Sequence, residues 1–196
     1  MLQQSAAHWL CCTAVGEDHS EVPPWLTFVS DGGTKPNSGG KAGAAWVEYL
    51  SLSNELVTPR VLACPGDTGG KVASDWGTGP NGLLNPGFRQ QAISYLLGLH
   101  AYAERPMALV AADCNIRLVG PFGCGPTAVM NASGIVTTVG SPPPETAQWS
   151  TGPHGSAGHL LVVDGSVAFL DSAGLTRTLS MRNSTDNGAH HVLRAH

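Results

Sequence analysis

The stretch Trp149–Leu179, WSTGPHGSAGHLLVVDGSVAFLDSAGLTRTL, carries the clearest fold signal in the chain. Two apolar runs, His159–Val163 and Ser166–Leu170, flank Asp164-Gly165. Asp-Gly between strand-like runs is the preferred filling of a two-residue hairpin turn, whose central residues both need positive φ. Ser172–Leu179 then reads as a short helix capped by Ser172. His154 precedes the first run, with nine residues between it and Asp164. The predicted order is a loop bearing a histidine, a strand, a tight turn, a strand and a helix.

Working outward, Leu2–Val15 places Leu2, Ala6, Trp9, Leu10 and Ala14 at helical intervals, with Gly16 as the stop. Pro23-Pro24 ends the loop that follows, and Trp25–Val29 alternates as a short strand before Asp31-Gly-Gly. Thr34–Gly43 is a polar, Gly-rich loop. Ala44–Leu56 reads as an amphipathic helix with Trp46, Val47, Leu50 and Leu56 on one face and Glu48 and Asn54 off it. Thr58-Pro59 stops that helix, and Val61–Cys64 reads as a buried strand. Pro65–Phe88 is loop, with a turn around Val72–Trp76. Ala92–His100 and Met107–Ala112 are strands joined too closely for a crossover, hence antiparallel. Asn115–Ala128 is irregular, Gly134–Val139 is a strand, and Ser141–Pro144 is an extended linker. Met181–His196 reads as a frayed tail. The fold class expected is α+β, with helices on one face of a mostly antiparallel sheet.

Bulk composition narrows the function. With 196 residues the chain is expected to form one domain, here 1–180 with 181–196 as tail. Charged residues make up 12%, about half the usual share, while 25 glycines and 14 prolines imply long loops and few helices. The net charge of −4 and the lack of any basic run argue against a nucleic-acid partner. No apolar run approaches the ~20 residues of a membrane span, and the first residues have neither the basic start nor the apolar core of a signal peptide. The five cysteines, Cys11, Cys12, Cys64, Cys114 and Cys124, include no Cys-x-x-Cys pair, and their odd number leaves at least one unpaired in a monomer. Cys114 and Cys124 are close enough to bridge a loop in an oxidising compartment.

The His-(nine residues)-Asp-Gly spacing resembles the signature of the C-terminal domain of pseudopilin-like proteins of bacterial type II secretion and type IV pilus systems. Leu52–Asp67, ending Ala63-Cys-Pro-Gly-Asp67, resembles that family's central segment. Ser94–Leu99 followed by Arg105–Asp113 resembles its next strand pair. The likeness spans roughly Glu17–Leu179. It implies a pilin-like fold in which an N-terminal helix, here residues 1–16, lies on the antiparallel sheet among long Gly/Pro-rich loops. It also implies a globular head that acts by contacts with other pseudopilin or secretion-system subunits, in a periplasmic or extracellular location. The basic leader and long hydrophobic helix of the family are not found ahead of this region. The expectation is a start inside a longer gene or a soluble offshoot.

The candidate chemistry centres on His154, His159 and Asp164. The structural reading has His154 donating to the turn aspartate and locking the hairpin to its neighbouring loop. The alternative is a metal-dependent hydrolase of ester or lactone type using His154, His159 and Asp164, with Asp113 assisting, since these ligand types suit zinc. Cys114, at the end of a strand, is the candidate nucleophile among the cysteines. The resemblance also implies a calcium site, for which the loop carboxylates Asp67, Asp113 and Asp164, with His154, are the candidate ligands; no EF-hand run is present. There is neither a Gly-x-Ser-x-Gly elbow nor a phosphate-binding glycine loop.

Overall fold

The computed structural model describes residues 22–35, 44–99, 101, 108–117, 135–139, 148–151, 154–182 and 190–194. The predicted N-terminal helix, the Ser141–Pro144 linker and Cys124 fall outside them. The helices are α1 (Ala45–Ser51), α2 (Ser53–Leu56) and α3 (Ser172–Arg182). The strands are β1 (Tyr95–Gly98), β2 (Leu109–Asp113), β3 (Ile116–Arg117), β4 (Ile135–Val139), β5 (Gln148–Trp149), β6 (Ala157–Val162), β7 (Val167–Asp171) and β8 (His190–Arg194). One antiparallel sheet runs β4-β8-β1-β2-β6-β7, and β3 pairs with β5 apart from it. The architecture is α+β, as expected. Among the described residues no helix is long and apolar enough to cross a membrane.

Alternation along β1 sends its side chains to two different cores. Leu97 and Leu99 pack with Trp25, Tyr49, Leu52, Leu62, Leu83 and Ile93, under the helices and loops of residues 22–93. Leu96 packs the other way, with Ile116, Trp149, Leu160 and Leu175 beneath α3. The Trp25 indole N–H donates to the Leu99 carbonyl and pins the first layer to the sheet edge. Burying aliphatic side chains on both faces supplies most of the driving force, at about 25 cal/mol per Å² of apolar surface.

The hairpin forms as the sequence predicts, β6 against β7, but its turn differs. Only Gly165 has positive φ, at 83°. The Gly165 amide donates to the Val162 carbonyl, and the Val162 amide donates to Ser166. This is the three-residue loop in which a left-handed glycine follows the turn, so Asp164 needs no positive φ. The α3 cap is also shifted. Asp171 Oδ1 accepts the Gly174 amide, while the Ser172 hydroxyl accepts the Trp149 amide and ties α3 to β5.

Other expectations are corrected. Trp25–Val29 is not a strand: Pro23 and Pro24 start tight turns, with Leu26 and Thr27 amides donating back to Pro23, and Val29–Asp31 is a 3₁₀ turn. Val61–Cys64 is not a strand either. Pro59–Leu62 is 3₁₀, with Pro59 in its first turn and the Thr58 side chain accepting the Arg60 amide. The single helix expected over Ala44–Leu56 breaks at Leu52, and the chain leaves it through Val57 at φ 59°. Glu48, read as off the buried face, is wholly buried. The tail expected to fray contributes β8, which fills the edge of β1 and pairs Val192 with Gly98.

Candidate functional site

Strand register builds the site. Tyr95 pairs with Asp113 across β1 and β2, and His159 pairs with Phe169 across β6 and β7. Ala112 pairs with Leu160, so the next step of that antiparallel ladder sets His159 beside Asp113. Four side chains, Tyr95, Asp113, His159 and Phe169, therefore form one row across four strands. Because strand side chains alternate, the row shares a face.

Asp113 is the centre of this row. Its side chain is 4% exposed, and Oδ2 accepts the His159 backbone amide at 2.7 Å and faces His159 Nδ1 at 3.1 Å. An ionised carboxylate only accepts, so Nδ1 is the donor in this pair. His154 reaches the same oxygen from its loop, Nε2 lying 3.6 Å from Oδ2 and 3.3 Å from the Cys64 sulfur. The two imidazoles meet edge to face with centroids 5.4 Å apart, and Phe169 lies 4.9 Å from the His159 ring. The ligating atoms of Asp113, His154 and His159 all lie within 4.8 Å of one another, so these three can hold a metal ion.

Buried polar groups hold the surrounding loops. The Asn115 side-chain Nδ2 donates to the carbonyls of Ser150, Gly155 and Ala157, and the Asn115 backbone carbonyl accepts both the amide and the hydroxyl of Ser150. This fixes both sides of the loop that carries His154. Gly158 is required where β6 passes Trp149, because a Cβ there would enter the indole ring. On the opposite side, Asp67 Oδ1 accepts the Gly69 and Gly70 amides and Oδ2 accepts the Ser94 hydroxyl. The Asp67 amide donates to the Cys64 carbonyl, which places the thiol over the row.

Electrostatics at the site disfavour further negative charge. Burial pushes the Cys64 thiol up, and the nearby carboxylates of Asp113 and Asp67 add to that, against donation from Gly66 and Asp67 amides. Tyr95 is pushed up in the same way, by burial first and then by Cys64, Asp113 and Cys114. Cys64 is therefore a protonated thiol at neutral pH. The same nitrogen of His154 faces both the thiol and the carboxylate, whereas a nucleophile–histidine–acid relay needs the acid on the other nitrogen.

Of the residues singled out in the sequence, the structure brings together His154, His159 and Asp113. Asp164 sits exposed at the hairpin turn, where Oδ1 accepts the Ser166 amide. Asp67 orders the loop after Cys64, and Cys114 is half-buried at the end of β2. Cys64 and Asn115 were not singled out. The Cys64–His154 contact spans 90 positions and leaves no local trace. Asn115 did carry a signal, a polar residue two positions after the apolar strand that ends at Asp113.

No family of known proteins, no curated protein and no solved structure matches this chain.

His154→Ala is expected to cost about 1–2 kcal/mol, because it removes the imidazole that links the loop to Asp113 and Cys64. Asp164→Ala, at an exposed turn, should cost under about 1 kcal/mol. Urea denaturation of both variants checks the ranking. The reverse order would mean that the loop is tied to the turn and not to β2.

Proposed function

We propose that this chain is the globular head of a pseudopilin-like structural protein. In this reading it works by contacts with other subunits of a type II secretion or type IV pilus-like apparatus outside the cytoplasmic membrane. The observation that carries the reading is how the His-(nine residues)-Asp-Gly unit is used. Its histidine ties a long loop down onto Asp113 of the neighbouring strand, and its aspartate shapes the hairpin turn. Such a unit makes a rigid surface out of Gly/Pro-rich loops, which is what a head packed against neighbouring subunits requires. The resemblance of Leu52–Asp67 and Ser94–Asp113 to the family's segments supports it in the same order along the chain. The antiparallel sheet with helices to its sides is compatible with a pilin-like head.

The hydrolase reading is weaker on the same geometry. Asp113 is almost wholly buried and already bonded, and the Cys64 thiol is held protonated. The test is photo-crosslinking in the source cells from exposed positions, with a photoreactive residue replacing Val57 in one variant and Phe169 in another. Adducts with pilin-type subunits are expected. Adducts with none, together with turnover of an ester or lactone that His154→Ala abolishes, would overturn the proposal in favour of an enzyme.

A further inference from the structure

Beyond the role of a head, the geometry points to a zinc-type metal site held by Asp113, His154 and His159, with a fourth position left for water. Four donors placed about 2.0–2.3 Å from a tetrahedral ion lie about 3.3–3.6 Å from one another. The edges found here are 3.1 Å from His159 Nδ1 to Asp113 Oδ2 and 3.6 Å from His154 Nε2 to the same oxygen, and the three ligating atoms all lie within 4.8 Å of one another. The longer distance is that of an imidazole–carboxylate ion pair, and it is equally the spacing of two ligands on one ion.

The donor set is also chemically selective. Two imidazoles and one carboxylate suit zinc and cobalt, whereas calcium takes six to eight oxygens. Access and support are both present. The side chains of His154 and His159 are 14% and 25% exposed, enough for an ion to enter. Asn115 holds the His154 loop through three backbone carbonyls, and the His159 amide holds the carboxylate, so the ligands are preset by groups that do not themselves bind. Loading is balanced by a tautomer shift that moves the His159 proton from Nδ1 to Nε2. The protein then fills three positions, cross-linking β2, β6 and the His154 loop, and water completes the fourth.

Cobalt(II) titration of the full chain tests this. One equivalent should give the intense visible bands of a four-coordinate ion. His159→Gln should weaken binding at least about tenfold. Zinc should raise the melting temperature by several degrees, and calcium at the same concentration should not. The proposal is overturned if binding survives His159→Gln undiminished, which would place the ion on other histidines, or if calcium stabilises and zinc does not. Should a variant fail to fold, anomalous scattering at the zinc edge from wild-type crystals decides: a peak bonded to His154, His159 and Asp113 is expected, and a peak elsewhere or none overturns the site. Crosslinking to pilin-type subunits neither requires nor excludes the ion, so the two proposals fail separately.

Discussion

Gly98→Ala is expected to lower stability by about 3 kcal/mol or more, near the top of the range for overpacking. For a chain of this size that corresponds to a fall of about 10 °C in melting temperature. Gly98 ends β1 and lies between β2 and β8, pairing with Val192 on the latter. A Cβ at this position would fall inside the carbonyl oxygen and carbon of Leu109. Those atoms belong to main chain, which cannot rotate away as a side chain can. Leu109 also sits where the pairing of β2 with β6 slips between Leu109 and Ala111, so the strand is held from both sides while its register shifts. Relief would require β1 and β2 to separate, and Asp113 at the far end of β2 would move with them. Gly79→Ala is the control, because a Cβ there meets nothing within 4 Å. That change should stay within about 0.5 kcal/mol. Thermal and urea denaturation followed by circular dichroism compares the two. Equal stabilities would mean that the close approach of β1 to Leu109 is absent in solution.

How far the fold could be read from sequence depended on whether the deciding contact was local. The β6–β7 hairpin was legible because Asp164-Gly165 and the apolar runs beside it specify the pairing within twelve residues. The β1–β2 pair was legible because a short connection between two apolar strands forces them antiparallel. Val61-Leu62-Ala63-Cys64 was misread because apolar content alone does not separate a strand from a buried 3₁₀ turn; Thr58 and Pro59 decided that by capping. Strand β8 was missed because His190–Arg194 gains order from the open edge of β1 and from β4, both far away in the chain.

The candidate site divides in the same way. His154, His159 and Asp113 stood out as residue types, and a nine-residue spacing made Asp164 the apparent partner of His154. The partner on the structure is Asp113, because strand pairing brings β2 alongside β6 while the turn carries Asp164 to the far end of the hairpin. Cys64 enters from a loop whose path is set by Asp67 and Ser94, and no spacing rule encodes that. Convergence of this kind is a property of the sheet, and residue spacing along one segment does not contain it.

Glu48→Gln is expected to stabilise the protein at pH 8 and to leave it almost unchanged near pH 4.5. Glu48 lies on α1 with no exposed surface, where the Thr34 hydroxyl donates to Oε2 and, among the described residues, Oε1 has no hydrogen-bond partner. Burial pushes its pKa from 4.5 up to about 7, and the bond from Thr34 only partly offsets this. Between those values the unfolded chain is ionised while the folded chain keeps the proton, so unfolding releases a proton. Stability from this group is therefore complete below about pH 4.5 and declines as pH rises, until it levels off above about pH 7. A shift of about two and a half units corresponds to about 3 kcal/mol lost across that window. Glutamine resembles the protonated acid and accepts from Thr34 in the same way, so the variant should not show the decline. Urea denaturation at pH 5, 6, 7 and 8 should show two curves that start together and diverge as pH rises, the wild type below. Parallel curves would mean that Glu48 is solvated and that the layer formed by Trp25, Tyr49 and Leu52 does not close over it. The consequence reaches the site through the same layer: Leu62, two residues before Cys64, packs in it, and its carbonyl accepts the Ser94 amide at the start of β1. A carboxylate ionising beneath that layer should therefore loosen the segment that carries the Cys64 thiol as pH rises through about 7.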